Sequence, residues 1–567
     1  MRLASAPAVV SLDVAHVLRK AKWFVVCWIV LFWRLGYPSL LDPDEAHYAQ
    51  LTHEMLRGGS WLVPLLDGHP YIDKPVFFHW LQALAVLVVG ESELAMRLPS
   101  ALAAISLFAT TRWVGVALMG ERVGETGALM FATIPITFAL GSIGLFDMVF
   151  TAFLFGAIGT LCVSAVQRRP RLQYVGYVLL TLAVMTKGPV ALVLVVFFGA
   201  IAFACGREAR DAIRFLDWPL GLALVSVGAA PWFVWMFWQF DGQFVRDYLL
   251  AGNVFYLTKP TSYSARVVRH TFYLRTFIAG FFPWSLVVLG RGVDVIRHLR
   301  QRWTLPPGET LMWAWTIAVI GLFSVARFKL DHYIFPAAPA CCLLAARGWQ
   351  STLTDRPDRS IGTRISILVL GVSLMAVGIA SAFALWQINL GLSELAALMP
   401  IALTAGGAVL MWQMLRNHLV PPQSLRVLIV MLLVVYATTV AVGFPVLERT
   451  RPTARAARWL KARSEPTSPV AIYRLERWRA SLRYYVGRPV ESLQDPDTLR
   501  AFLNSGNQVY VVMLRKDFDE LRADGVEIHS VYQRSAVTST SGRGFRRQHW
   551  GRLVIATNHR LHPKVIP

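Results

Sequence analysis

Apolar runs of about 15 to 23 residues recur from Trp23 to Val446, separated by short loops rich in arginine. Runs of that length suit a bilayer better than a soluble core, so the chain reads as a polytopic membrane protein. Composition agrees: 55% of residues are hydrophobic and only 16% charged, where a soluble domain averages roughly 25% charged. The net charge of +22 would suit nucleic acid, yet no zinc-ligand spacing, glycine-rich nucleotide loop or nucleic-acid module accompanies it. Loop arginines against anionic lipid headgroups account for it instead, so membrane lipids are expected partners and nucleic acid is not. The cysteines, Cys27, Cys162, Cys205, Cys341 and Cys342, all fall in apolar runs, which argues against a disulfide framework. Residues Arg19 to Cys27 resemble a signal-peptide start, but the run continues through Trp33 and Arg34 with no small-residue cleavage site and reads as a retained helix.

Arg2, Arg19, Lys20 and Lys22 place the N-terminus in the cytoplasm by the positive-inside rule. About 13 transmembrane helices follow, the first over Trp23–Leu41 and the last over Val427–Val446, with a polar external loop at Gln239–His270. Residues Glu45–Arg57 and Val76–Val89 have helical patterns but are short and carry polar groups, so they are expected to lie on the outer face. From Leu447 the composition becomes that of a soluble domain, with β-rich VAIYRL and QVYVVML alternating with helical LRKDFDELRADG. The expected fold is therefore an all-α polytopic membrane domain, residues 1–446, followed by a small external α/β domain, residues 447–567.

Chemistry concentrates at the outer face. LDPDEAHYAQ, Leu41 to Gln50, sets Asp42, Asp44 and Glu45 directly after the first apolar run, and carboxylates avoid hydrocarbon. Asp44 can serve as a general base or cation-binding group, or as a helix-terminal acid favoured by the dipole. Lys74, in YIDKP, suits a phosphate as a point charge; the plain alternative is a surface pair with Asp73. Asp147 stands alone in GLFDMVF, where an isolated acid points to function but also fits a loop tip.

Six histidines, His47, His53, His69, His79, His270 and His332, fall on the external segments. None shows a diagnostic metal-ligand spacing; if a divalent metal binds, His270 and Asp73 are the candidates. Arg266, Arg269 and His270 close one external loop, and Arg327, Lys329, His332 and Tyr333 lie in another. With Lys74 they could surround an anionic headgroup with donors. Positive charge gathered on the outer face runs against the topological rule and favours phosphate binding.

LDPDEAHYAQLTHEML, YIDKPVFFHWLQAL, RLPSALAA, GLFDMVFTAFL and LFSVARFKLDHYIFPAAPA, in that order, resemble the GT-C glycosyltransferases that use lipid-linked sugars. Within these the chain resembles the aminoarabinose (4-amino-4-deoxy-L-arabinose) lipid A transferases and their protein O-mannosyltransferase-like relatives. The resemblance implies an inverting transferase in a bacterial inner membrane, acting at the periplasmic face. Its donor would be a polyprenyl-phosphate sugar and its acceptor a glycolipid or a protein. By the same resemblance Asp44, with Glu45 and Asp147, forms the catalytic set. Lys74, Lys329 and Tyr333 would contact the lipid phosphate, with Tyr48, Arg266 and Arg269 beside them; Arg266, Arg269 and His270 precede a Pro-Trp helix, here Pro283 and Trp284. His47 and Asp73 depart from the family's usual Arg and Glu, on the acceptor or metal side of the pocket. A transporter is the reading from another class, but the charges gather at one face and no pair of interrupted helices marks a midplane site.

Overall fold

The computed structural model describes Val26 and residues 28–254, 271–301, 304–352, 360–387, 393–416, 421–537 and 550–559. Among them seven helices are long and apolar enough to cross a membrane, or nine if two bent pairs each count as one span. The protein is a multi-pass membrane protein. Phe146–Val166 is apolar on all sides, and 89% of its most apolar stretch is buried, as expected of a helix enclosed by others. It packs against Glu93–Met119 and Leu172–Lys187. Glu93–Met119 begins at Ser92, whose hydroxyl accepts the Ala95 N–H and so satisfies one of the free donors of the first turn. Its far end folds back onto Glu121–Ala132 where Gly115 meets Gly124, and a Cβ on Gly115 would lie 2.6 Å from the Gly124 Cα. Small residues here let the two backbones touch.

The bent pairs are Glu121–Ala132 with Pro135–Gly141, at 63°, and Phe272–Gly280 with Trp284–Arg300, at 115°. Pro135 and Pro283 sit at these breaks, where their missing N–H ends the helical ladder. Every helix expected after the first falls on a helical segment. Leu172–Lys187, Val190–Ala204 and Ala338–Ser351 have 16, 15 and 14 residues, short of the ~20 of an upright span. Two expectations change. The described helix of the first run ends at Phe32, not Leu41, because the chain turns at Arg34 (φ 62°) and meets Pro38. The expected loop from Gln239 is helical through Val254, with a break at Asp241.

Asp44–Leu56 and Phe77–Val89 are joined through a two-residue antiparallel hairpin, β1 (Leu65–Leu66) and β2 (His69–Pro70). The soluble domain is a five-stranded sheet of β3 (Val470–Tyr473), β4 (Glu491–Leu493), β5 (Tyr510–Leu514), β6 (His529–Val537) and β7 (Trp550–Thr557). Its order is β4-β3-β5-β7-β6, parallel across the first three strands and antiparallel beyond. Alternate residues face opposite sides. Ile472 and Val512 meet Leu460 and Leu482 on one face, while Ala471 and Val511 meet Leu499 and Phe518 on the other.

Candidate active site

The helix Asp44–Leu56 starts directly after Pro43, which suits a first turn because that position has no use for an N–H. Neither Asp42 nor Asp44 caps it, since Pro43 is the N-cap and no side-chain capping bond forms. The three acids of the DPDE stretch have separate tasks. Asp42 bonds to the soluble domain. Asp44 is the accessible acid of the three. Protein packed around it raises its pKa by desolvation; Asp147 and Asp73 act in the same direction, while His332 and Lys74 oppose it. These four groups, from three separate parts of the sequence, are its electrostatic neighbours.

Glu45, expected beside Asp44 in catalysis, points the other way and is 1% exposed. Arg97 grips both its oxygens, Nε to Oε1 at 2.6 Å and Nη2 to Oε2 at 3.0 Å. The backbone N–H groups of Leu41 and Gly144 donate to the same carboxylate at 2.7 and 2.8 Å. Arg97 also donates to the carbonyls of Leu35 and Pro38 at 3.0 and 2.7 Å. A carboxylate with this many donors ties the surrounding segments together, and its oxygens are already engaged by protein groups. The signal in the sequence was an arginine within the apolar Glu93–Met119 run, which needs a buried partner.

Asp147, in the first turn of its helix, accepts from Lys187 Nζ at 2.5 Å through Oδ1, with His332 Nε2 3.7 Å from Oδ2. Lys187 ends Leu172–Lys187 and lies 4.7 Å from the centre of the Tyr333 ring, 5.2 Å from Phe146 and 5.3 Å from Phe150. Lys187 was not among the candidate residues read from the sequence. Its signal was a lysine closing an apolar helix before Gly188 and Pro189. Lys74 Nζ bonds Asp73 Oδ2 at 2.8 Å and lies 6.0 Å from the Phe146 ring, so two ammonium groups flank one aromatic ring. Tyr71 also donates to Asp73 Oδ2, at 3.3 Å. Tyr48, expected at a phosphate, is 8% exposed and packs on Phe146 with ring centres 5.1 Å apart.

Lys329, also expected at the phosphate, is engaged elsewhere. Its ammonium donates to the carbonyls of Phe323, Ser324 and Ala326 at 3.2, 2.7 and 2.7 Å. These are carbonyls at the end of Pro307–Val325 that the helix leaves without partners, and a cation there also suits the dipole. Arg266, Arg269 and His270 lie outside the described residues. Among the described residues no group of three or more His, Cys, Asp or Glu is placed to hold a metal ion. Asp73, the other metal candidate, is occupied by Lys74 and Tyr71.

The site thus joins an accessible carboxylate of raised pKa to two lysines, a histidine and a tyrosine. It can take a proton from a hydroxyl and can stabilise negative charge on a phosphate.

Residues 73–235 match a family model described as dolichyl-phosphate-mannose-protein mannosyltransferase. An undecaprenyl phosphate-alpha-4-amino-4-deoxy-L-arabinose arabinosyl transferase of Edwardsiella ictaluri is 27% identical over 369 residues, 63% of this chain and 64% of the relative. One of Aeromonas salmonicida is 26% identical over 58% of this chain and 60% of its own length. The chain therefore aligns with less than two thirds of the length of these relatives. The crystal structure of ArnT from Cupriavidus metallidurans bound to undecaprenyl phosphate superposes with a TM-score of 0.75 at 18% identity, over 98% of this chain and all of that one. The archaeal oligosaccharyltransferase AglB from Archaeoglobus fulgidus gives 0.51 at 11% identity, over 88% of this chain and 70% of that one. The chain has the fold of the GT-C glycosyltransferases, and among them it resembles the aminoarabinose transferases.

Proposed function

We propose that the protein transfers a sugar from a polyprenyl-phosphate donor to a glycolipid acceptor of the lipid A type at the periplasmic face of a bacterial inner membrane. The observation that carries this reading is the convergence of Asp44, Lys74, Asp147, Lys187, His332 and Tyr333 from five separate stretches of sequence onto one face. The donor's tail would lie in the bilayer, with its phosphate between Lys74 and Lys187, whose charge stabilises the departing phosphate. Asp44 orients or deprotonates the acceptor for attack on the anomeric carbon, and a single displacement inverts that carbon. Asp147 keeps Lys187 protonated and holds it in place.

The test is mass spectrometry of lipid A and envelope glycans from cells carrying the wild-type chain, Asp44→Asn, or a deletion. A sugar mass present only with wild type establishes transfer and identifies sugar and acceptor. Unchanged glycans in all three strains, with no accumulated polyprenyl-phosphate sugar, would defeat the reading. The family match over residues 73–235 favours a second acceptor, a periplasmic protein, and the same masses sought on envelope proteins decide between them.

A further inference from the structure

Asp42 lies two residues before Asp44, yet it is held by the other end of the chain. Ser481, in the helix Arg479–Val486 of the soluble domain, donates its N–H to Oδ1 at 2.8 Å and its hydroxyl to Oδ2 at 2.5 Å. Arg451 Nη2 reaches Oδ2 at 3.3 Å, and its guanidinium also donates to the carbonyls of Ser39 and Leu40 at 3.2 and 3.0 Å. The neighbouring backbone is held in the same way. Glu448 accepts the Ser39 N–H at 3.0 Å and its hydroxyl at 2.7 Å, and the Tyr485 hydroxyl accepts the Leu40 N–H at 2.8 Å.

Residues 39 to 43 belong to no regular helix or strand, so the direction in which the chain enters the Asp44 helix is set by side-chain ties. Arg97 and Glu45 hold Pro38, Ser39 and Leu41 from the membrane domain, and among the described residues the C-terminal segment alone holds the Asp42 side chain. Only Pro43 separates the held carboxylate from the acting one, and its ring fixes φ. A change at Ser481 is therefore transmitted to Asp44 through a short, stiff link. Other contacts between the soluble domain and the membrane domain avoid Asp42 altogether. Arg458 pairs with Glu93 at 3.0 Å, and Arg483 with Glu54 and Asp67, each at 2.9 Å.

We propose that Asp42 is a positioning residue through which Ser481 and Arg451 of the C-terminal segment aim the Asp44 carboxylate, so that the soluble domain is part of the catalytic apparatus. This rests on the reading of Asp44 given above. The Asp42 clasp and the Arg458–Glu93 contact separate experimentally, because only the first bonds to Asp42, while Arg458 meets the Leu40 tie only through Glu93 and the face of the Tyr485 ring, 5.1 Å away.

The experiment uses the full chain in lipid nanodiscs, as wild type, Ser481→Ala, Asp42→Asn and Arg458→Ala. Two quantities are read: kcat and KM for transfer from a polyprenyl-phosphate sugar, and amide hydrogen exchange over Leu41–Gln50. Ser481→Ala and Asp42→Asn are expected to lower kcat by about 10- to 100-fold, the scale of a small misplacement of a reacting group. Donor KM should stay within about twofold of wild type, and exchange over Leu41–Gln50 should rise. Arg458→Ala should leave all three unchanged. Wild-type kcat in both clasp variants overturns the proposal, as does an equal loss in Arg458→Ala. If the wild type transfers no sugar, the enzymatic reading fails while the exchange comparison still decides the clasp: no rise in either clasp variant overturns it.

Discussion

Lys187 Nζ stands 2.5 Å from Asp147 Oδ1, although 40 residues separate them in sequence. Each is largely buried, with 11% and 5% of its side chain exposed, so neither charge has water as an alternative partner. Breaking such a pair from one side leaves the other charge uncompensated, which costs about 3–5 kcal/mol. Lys187→Met should therefore lower the melting temperature of the detergent-solubilised protein and abolish transfer. Adding Asp147→Asn should restore much of the melting temperature and none of the activity. Activity in the double variant would remove Lys187 from the site.

In the proposed transfer Asp44 would act as a base only when ionised, so activity should be lost as pH falls through its pKa. Desolvation raises that pKa above the ordinary aspartate value of 3.8, so the acid limb of the kcat/KM profile should lie higher than an exposed aspartate would give. Asp73 and Asp147 also raise it and His332 lowers it. Asp73→Asn should accordingly move the limb to lower pH and His332→Ala to higher pH. A limb that ignores both substitutions would assign it to another group.

Glu45 and Arg97 make a two-pronged pair with exposures of 1% and 2%. Glu45→Gln should destabilise the protein by about 3–5 kcal/mol, read as loss of folded protein in detergent-stability assays. A Glu45→Gln protein that keeps its wild-type melting temperature and loses transfer would return Glu45 to the chemistry.

Lys329 binds three carbonyls at a helix end. Lys329→Met should lower the melting temperature and leave donor KM within about twofold, since breaking hydrogen bonds to a charged donor costs about 1.5–3 kcal/mol in stability. A selective rise in donor KM at unchanged melting temperature would instead place this ammonium on the lipid phosphate.

Gly188 follows Lys187 with φ +88°, and a Cβ there would overlap the Tyr248 hydroxyl. Gly188→Ala should thus destabilise the turn and displace Lys187, lowering both melting temperature and transfer. Combining it with Tyr248→Phe should recover part of the loss by removing the overlap but not the strain of a positive φ, about 1–2 kcal/mol.

What the sequence determined by itself was what local pattern controls. Hydrocarbon admits only long apolar segments with paired backbones, so the helices after the first could be read from run length. The alternation in VAIYRL and QVYVVML marked β3 and β5 in the same way. Asp44, Lys74, Asp147 and Tyr333 could be singled out as candidates, because charge and aromatic groups beside apolar runs stand out. The choice between neighbours could not be read that way. Asp42, Asp44 and Glu45 lie within four residues, but Asp42 precedes the helix and Asp44 and Glu45 occupy successive positions of its first turn, so they meet different partners. Ser481 takes the first, the second stays exposed, and Arg97 binds the third. Likewise the sequence did not show that Lys329 would lie over the carbonyls of a helix end, nor that Lys187 would meet Asp147 at 2.5 Å. A charged group's task depends on which opposite charges surround it, and those partners come from distant sequence, so only the tertiary structure decided it.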